Sequence, residues 1–233
     1  MRRRWDEFPD VVIATTREIA VKQHAEYAAA KSGNALAAFR LVQTFVTNEY
    51  VERLRALASS GDFPRLTAVH AEEATGRNQI AQALAAEVAE RLELRSDDDM
   101  VQINIVNHTG AGGFARMARQ ALFSGTVVAG VQYLLVDDFV GQGGTLANFR
   151  AYIQSQGGRV LGATVLTGKT FSAKIMLSPT TKQALVEKHG QQLEDWWEHK
   201  FGFDFSGLTE SEARYLLRTQ DADTVRNQIA AAG

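Results

Sequence analysis

The sequence predicts an α/β fold: an open, mostly parallel sheet with flanking helices and helical additions at both ends. Two observations carry that prediction. Short apolar runs bounded by turn residues, such as Tyr133 to Val136 and Arg159 to Leu166, read as buried strands, while the segments between such runs repeat their apolar residues at helical spacing. A helix from Thr145 to Gln156 separates that pair of strands, and strand, helix, strand at this spacing implies parallel neighbours joined by right-handed crossovers. A chain of 233 residues suits one domain of this kind with additions. The divisions expected are residues 1–60 as an N-terminal helical extension or hood, 61–175 as the core, and 176–233 as a C-terminal helical extension.

In chain order, residues 1–19 join a basic cluster to the apolar run Val11-Val12-Ile13-Ala14, which reads equally as a short strand or as packing on the domain. Ala20 to Leu57 reads as two or three helices, broken at Lys31-Ser32-Gly33-Asn34. His24, Tyr27, Phe39, Phe45 and Tyr50 follow the helical spacing and read as core. Leu66 to Val69 is a strand that ends in the loop His70 to Gly76. A helix from Arg77 to Leu92 follows, with Ile80, Ala81, Leu84 and Val88 on one face. The charge run Ser96-Asp97-Asp98-Asp99 reads as a solvated turn, and Met100 to Val106 as the second strand, with Asn107-His108-Thr109 at its exit.

Gly110, Gly112 and Gly113 come next, followed by Arg116 and Arg119. Glycines give hinge freedom and arginines give planar forks that match phosphate, as a loop closing over a diphosphate requires. A plain helix after a flexible turn is the competing reading. Thr126 to Ala129 is expected as a short third strand, and Gly157-Gly158 closes the helix that precedes Arg159. From Ser178 onward the pattern is helical, with Pro179 near a helix start and a capping box at Thr209-Glu210-Ser211-Glu212. Trp196 and Trp197 are expected on the core or on an oligomer surface.

The chemistry is concentrated in VQYLLVDDFVGQGGTLANFR, Val131 to Arg150. Two carboxylates, Asp137 and Asp138, stand at the exit of a buried strand. A turn, Gly141-Gln142-Gly143-Gly144, then opens a helix near Thr145. A helix start leaves backbone N–H groups unpaired and carries the positive end of the dipole, so a turn able to approach closely there suits a phosphate. Carboxylates accept from sugar hydroxyls and bind hard cations through oxygen, so the pair suits a ribose or the water shell of a magnesium ion. The lysine of a P-loop is missing, and a dinucleotide fold would place its acid roughly 20 residues after the glycines rather than before them.

This order of parts, from Leu134 to Leu146, resembles the phosphoribosyl pyrophosphate motif of type I phosphoribosyltransferases. The resemblance implies that Asp137 and Asp138 hold the ribose hydroxyls and a magnesium ion, while Gly141, Gln142, Gly143, Gly144 and Thr145 wrap the 5-phosphate. The family usually carries hydroxyl residues where Gly141 and Gln142 stand, so backbone N–H groups and the Gln142 amide must substitute. Gly76-Arg77-Asn78-Gln79 is similar to a stretch of competence-type members, which assigns Arg77 to pyrophosphate, beside His70 at the strand end. An ordinary helix start is the alternative there. Arg116 falls in the family's flexible loop, where no lysine occurs, and Lys169 falls near a base contact of purine-specific members.

The expected activity is transfer of a phosphoribosyl group from phosphoribosyl pyrophosphate to a small-molecule base acceptor, with magnesium as cofactor and a homodimer as the assembly. The alternative is a regulator that keeps the fold and the phosphate loop without catalysis. Purine, pyrimidine, amine and polynucleotide acceptors all remain open. With a net charge of −2 and no basic-aromatic motif, nucleic acid is not an expected partner. No apolar run is long enough to span a bilayer and MRRRWDEF lacks an apolar stretch behind its arginines, so a cytoplasmic protein is expected. The absence of cysteine excludes disulfides, thiol nucleophiles and thiolate metal sites, and the five histidines show no ligand spacing.

Overall fold

The computed structural model describes residues 1–60, 63–70, 72–73, 76–104 and 112–232. Ala71, Ala74 and Thr75 of the first loop, and Asn107, His108, Thr109 and Gly110, lie outside the described residues.

The apolar run near the N-terminus is a strand, β1 (Val12–Thr15), which settles the choice that sequence leaves open. Four helices follow: α1 (Glu18–Lys22), α2 (Tyr27–Lys31), α3 (Ala35–Phe45) and α4 (Asn48–Ala58). The last two start where they do because Asn34 and Thr47 accept the N–H groups of Ala37 and Tyr50. Then come β2 (Arg65–Ala68), the two-residue strands β3 (Glu72–Glu73) and β4 (Gly76–Arg77), α5 (Ile80–Leu92), β5 (Ser96–Asp97), β6 (Met100–Gln102), α6 (Gly113–Ala118) and β7 (Phe123–Gly125). The long central strand β8 (Gln132–Val140) leads through the glycine turn to α7 (Gly144–Ser155) and β9 (Arg159–Gly168). The C-terminal part is helical: α8 (Pro179–His189), α9 (Gln191–Phe201), α10 (Glu210–Leu217) and α11 (Ala222–Ala232).

The main sheet has the order β1-β9-β8-β2-β5, and every pair in it is parallel. This is the open parallel sheet with flanking helices that the sequence predicts. Side-chain alternation sorts the strands onto two cores. Val12, Leu66, Ala68, Leu134, Val136 and Leu166 face α3, α4 and α5. Ile13, Tyr133, Leu135, Ala163 and Val165 face α7 and the C-terminal helices. Strands buried on both faces read as continuous apolar runs, which is why β8 and β9 are legible. Thr164 is buried among them because its hydroxyl donates to the Val12 carbonyl (2.7 Å) and pairs with the Tyr50 hydroxyl (2.6 Å).

The N-terminus is strapped across the second core. Trp5 donates its indole N–H to the Leu208 carbonyl (2.6 Å), and the buried Arg2 guanidinium pairs with Glu212 (2.6 Å). Glu212 also completes the predicted capping box with Thr209. Trp197 is fully buried against Phe201, Phe203 and Phe205, a core role rather than a ligand role.

Several expectations about elements need correction. Ser96-Asp97 is an edge strand rather than a solvated turn, because Arg65 on the neighbouring strand pairs with the buried Asp97 carboxylate (3.2 Å). In place of a second main-sheet strand from Met100, residues Met100–Gln102 form an antiparallel ribbon with Phe123–Gly125, so the expected strand at Thr126 to Ala129 lies three residues early. Gly125 makes that ribbon: its φ is +129°, and a Cβ there would collide with the Asp99 carbonyl. The helix expected from Arg77 begins at Ile80, since Gly76 and Arg77 pair with Glu73 and Glu72. β8 continues to Val140, with Asp137 opposite Val165 and Phe139 opposite Thr167, so the two acids lie within the strand rather than beyond it.

Candidate functional site

The site is built on the C-terminal edge of the sheet, where β8 runs into α7. Asp137 and Asp138 are neighbours on β8, and their two carboxyl groups interact with each other inside the protein. Asp137 is 8% exposed, and its Oδ1 accepts the N–H of Asp138 (2.8 Å). Asp138 Oδ2 accepts from Lys31 Nζ (3.1 Å) and from Asn78 Nδ2 (2.8 Å). Burial pushes the Asp137 carboxyl well above the usual carboxylate range, and the neighbouring Asp138 charge adds to the push. Burial acts on Asp138 in the same sense, but Lys31 and the Asn78 amide outweigh it and hold that carboxyl below its ordinary value. Burial and the adjacent charge thus favour the neutral form of Asp137, while Lys31 and Asn78 favour the charged form of Asp138.

Lys31 and Asn78 are positioned by backbone. Lys31 is the last residue of α2, and the carbonyl of Ala30 beside it accepts the N–H of Gln79 (3.1 Å). Asn78 Oδ1 accepts the N–H of Ile80 (3.1 Å) at the start of α5, which aims its amide at Asp138. Gly76, with φ +125°, lies so close to Ser32 that a Cβ would stand 2.8 Å from the Ser32 carbonyl oxygen. The break expected at Lys31-Ser32-Gly33-Asn34 lies between α2 and α3, and Asn78 lies two residues ahead of α5 rather than inside a helix from Arg77. Nothing local signals Lys31, which meets a residue 107 positions away.

The glycine turn delivers the N-terminus of α7. Gly143, at φ +80°, precedes the helix, and Ala147 donates the first helical N–H back to its carbonyl (3.0 Å), so the N–H groups of the first turn have no intrahelical partner. The C-terminal segment braces the turn from behind: Thr209 donates its hydroxyl to the Gln142 carbonyl. A Cβ on Gly143 would meet Ile175 at 2.8 Å, and one on Gly144 would meet Glu212 Oε1 at 2.7 Å and Arg2 Nη2 at 3.0 Å. Packing within the chain therefore already requires glycine at both positions, where the sequence suggested phosphate approach as the reason. The Gln142 side-chain amide is buried with no hydrogen bond on either of its polar atoms among the described residues, a costly state in which a ligand oxygen would satisfy the Nε2 donor.

The other expected residues gather on the same edge. A Cβ on Gly141 would lie 3.4 Å from Arg116 Nη1, which brings the α6 arginine over the turn. Arg77 is exposed and donates its Nε N–H to His70 Nε2. Lys169 directly follows Gly168, the residue opposite Val140, and its ammonium lies 5.8 Å from the Phe171 ring. Thr145 stands half-buried in the first turn of α7.

A magnesium ion held directly by Asp137 and Asp138 does not fit this donor set. Lys31 and Asn78 both donate to Asp138 Oδ2, and the Lys31 ammonium sets a positive charge against any cation brought to that carboxylate. Among the described residues there is no group of three or more His, Cys, Asp or Glu that could hold a metal. Among the same residues no helix is long and apolar enough to cross a membrane.

No family model matches the sequence. Two curated proteins are similar to it. Protein TraN of Escherichia coli is 37% identical over 231 residues, which is 99% of this chain and 51% of that protein. An uncharacterized protein of Haemophilus influenzae is 36% identical over 154 residues, 66% of this chain and 34% of that one. The chain thus spans about half the length of the first relative and a third of the second. Among solved structures, an adenine phosphoribosyltransferase from Thermoanaerobacter pseudethanolicus has a TM-score of 0.39 at 20% identity, over 58% of this chain and 74% of that one. An orotate phosphoribosyltransferase from Mycobacterium tuberculosis, solved with Fe(III) dicitrate, has a TM-score of 0.31 at 21% identity, over 61% and 69%. At these TM-scores the likenesses assign no ligand to this chain.

Proposed function

We propose that this chain binds phosphoribosyl pyrophosphate across Asp137, Asp138 and the N-terminus of α7, and transfers its phosphoribosyl group to a nitrogen acceptor with release of pyrophosphate. The observation that supports this reading is the continuity of β8, turn and α7: one segment carries a carboxyl pair and then an unpaired helix start. The turn's N–H groups and the Gln142 amide take the 5-phosphate. The neutral carboxyl of Asp137 and the charged one of Asp138 take the ribose hydroxyls. Arg116 and Arg77 face the diphosphate and Lys169 the acceptor. In the reaction the C1–oxygen bond breaks with its electron pair leaving on pyrophosphate, the acceptor nitrogen bonds to C1, and its proton passes to a carboxylate of the pair. Positive charge grows on the ribose as this happens, and Asp138, held ionised inside the protein, faces it.

Pyrophosphate release from phosphoribosyl pyrophosphate, assayed over a panel of nucleobases and amines, tests the transfer. Turnover with one acceptor that disappears in the Asp137→Asn, Asp138→Asn double variant is the expected result. A second reading, a binder without catalysis, is favoured by the Lys31 ion pair that already neutralises Asp138. Calorimetric binding of phosphoribosyl pyrophosphate without turnover on any acceptor would select it, and absence of binding would remove both.

A further inference from the structure

We infer that Lys31 takes the place of a divalent metal at the acid pair, so that the phosphoribosyl ligand binds here without a metal–carboxylate bond. This rests on the proposed ligand. An ammonium serves the pair as a metal would, by neutralising a carboxylate that must stay ionised inside the protein. Lys31 Nζ lies 3.1 Å from Asp138 Oδ2, and both side chains are only 18% exposed, so this is not a loose surface contact. Asn78 adds a second donor to the same oxygen at 2.8 Å.

The arrangement is built from backbone inward. Gln79 is bonded to the Ala30 carbonyl, Gly76 packs on Ser32, and Asn78 is fixed by the N–H of Ile80. The end of α2 and the start of α5 are thereby locked together, with one donor from each aimed at Asp138. A divalent ion brought to this carboxylate would have to displace a fixed ammonium or stand against its charge. The other oxygens of the pair, Asp137 Oδ2 and Asp138 Oδ1, then meet the sugar hydroxyls directly. The cation thus comes from the N-terminal helical segment, at a position where sequence gives no family counterpart.

Calorimetric titration with phosphoribosyl pyrophosphate, in EDTA and in excess magnesium, tests this on wild type, Lys31→Met and Lys31→Arg. Wild type is expected to bind with Kd values within about threefold of each other in the two buffers. Lys31→Met should lose about tenfold or more in EDTA, the order set by one charge-assisted hydrogen bond. It should recover in magnesium, when the vacated carboxylate becomes free for metal, and Lys31→Arg should follow wild type. Manganese uptake without ligand, read by electron paramagnetic resonance, should be absent in wild type and present in Lys31→Met. Wild-type binding that vanishes in EDTA, or manganese uptake by wild type at the pair, would overturn the inference and leave the proposed ligand standing. No wild-type binding in either buffer would remove both the ligand and the inference.

Discussion

Replacing Gly144 by alanine tests whether the turn is held in shape by the chain itself. The added Cβ would stand 2.7 Å from Glu212 Oε1 and 3.0 Å from Arg2 Nη2. Long side chains often swing away from such an intrusion, but these two cannot do so freely. Each is only 2% exposed, and Glu212 Oε2 accepts both Arg2 Nη1 at 2.6 Å and the N–H of Thr209 at 2.9 Å. The methyl group must displace a buried ion pair and its capping box together. Overpacking of this kind costs about 1–3 kcal/mol, against which better helix propensity returns less than about 1 kcal/mol. A net loss of about 2 kcal/mol corresponds to a fall in Tm of about 4–8 °C for a chain of this size, measured by calorimetry. In a Glu212→Ala background the obstructing oxygen is gone, so Gly144→Ala should cost about 1 kcal/mol less there, a coupling well above additive error. Equal costs in the two backgrounds would refute the argument and return Gly144 to a purely ligand-driven explanation.

Two further tests concern the carboxyl pair and the N-terminal strap. Because the folded-state pKa of Asp137 is raised, its stabilising contribution is full below the ordinary carboxylate value and is lost as pH rises toward the folded value. Asp137→Asn should therefore raise Tm relative to wild type increasingly above about pH 4, whereas parallel Tm curves from about pH 4 to 8 would show that Asp137 is not held protonated. The depressed pKa of Asp138 has the opposite sign, so Asp138→Asn should destabilise at neutral pH and lose that effect in acid. Arg150 is buried with its guanidinium 4.6 Å over the Trp5 ring, and it donates to the carbonyls of Arg3 and Arg4. Arg150→Met should cost about 2–3 kcal/mol and speed amide exchange in the first ten residues; unchanged exchange there would show that the strap does not depend on it.

What the sequence reveals depends on how far apart the interacting partners lie. β8, the glycine turn and α7 are contiguous, so an apolar run, an acid pair and a helix start are read in one pass, and the predicted capping box at Thr209 is equally local. Three aspartates in a row suggest solvent, whereas Arg65 reaches Asp97 from a strand that sequence cannot place beside it. Asp137 and Asp138 break the apolar pattern and so read as past the strand, although β9 continues to pair with β8 through Val140. Lys31 and Arg2 acquire meaning only through partners 107 and 210 residues away. Single segments show a glycine turn after two acids; the cation beside it and the brace behind it appear only when the chain has closed.

That closure bears on how the molecule is made. Val12 pairs with Thr164, 152 residues later, in a sheet that also needs β8 between β9 and β2. At a synthesis rate of about 5–20 residues per second, the first strand waits about 8–30 s for its neighbour to be made. During that interval Val11, Val12 and Ile13, all destined for burial, have no sheet edge to join. Contacts so distant in sequence also slow the search for the native pairing. The helices between Glu18 and Ala58 can form early from local signals, while the strand ahead of them remains a sticky segment that a holding chaperone would recognise. Pairing of β1 with β9 is therefore among the last contacts of the main sheet that can form as the chain is made.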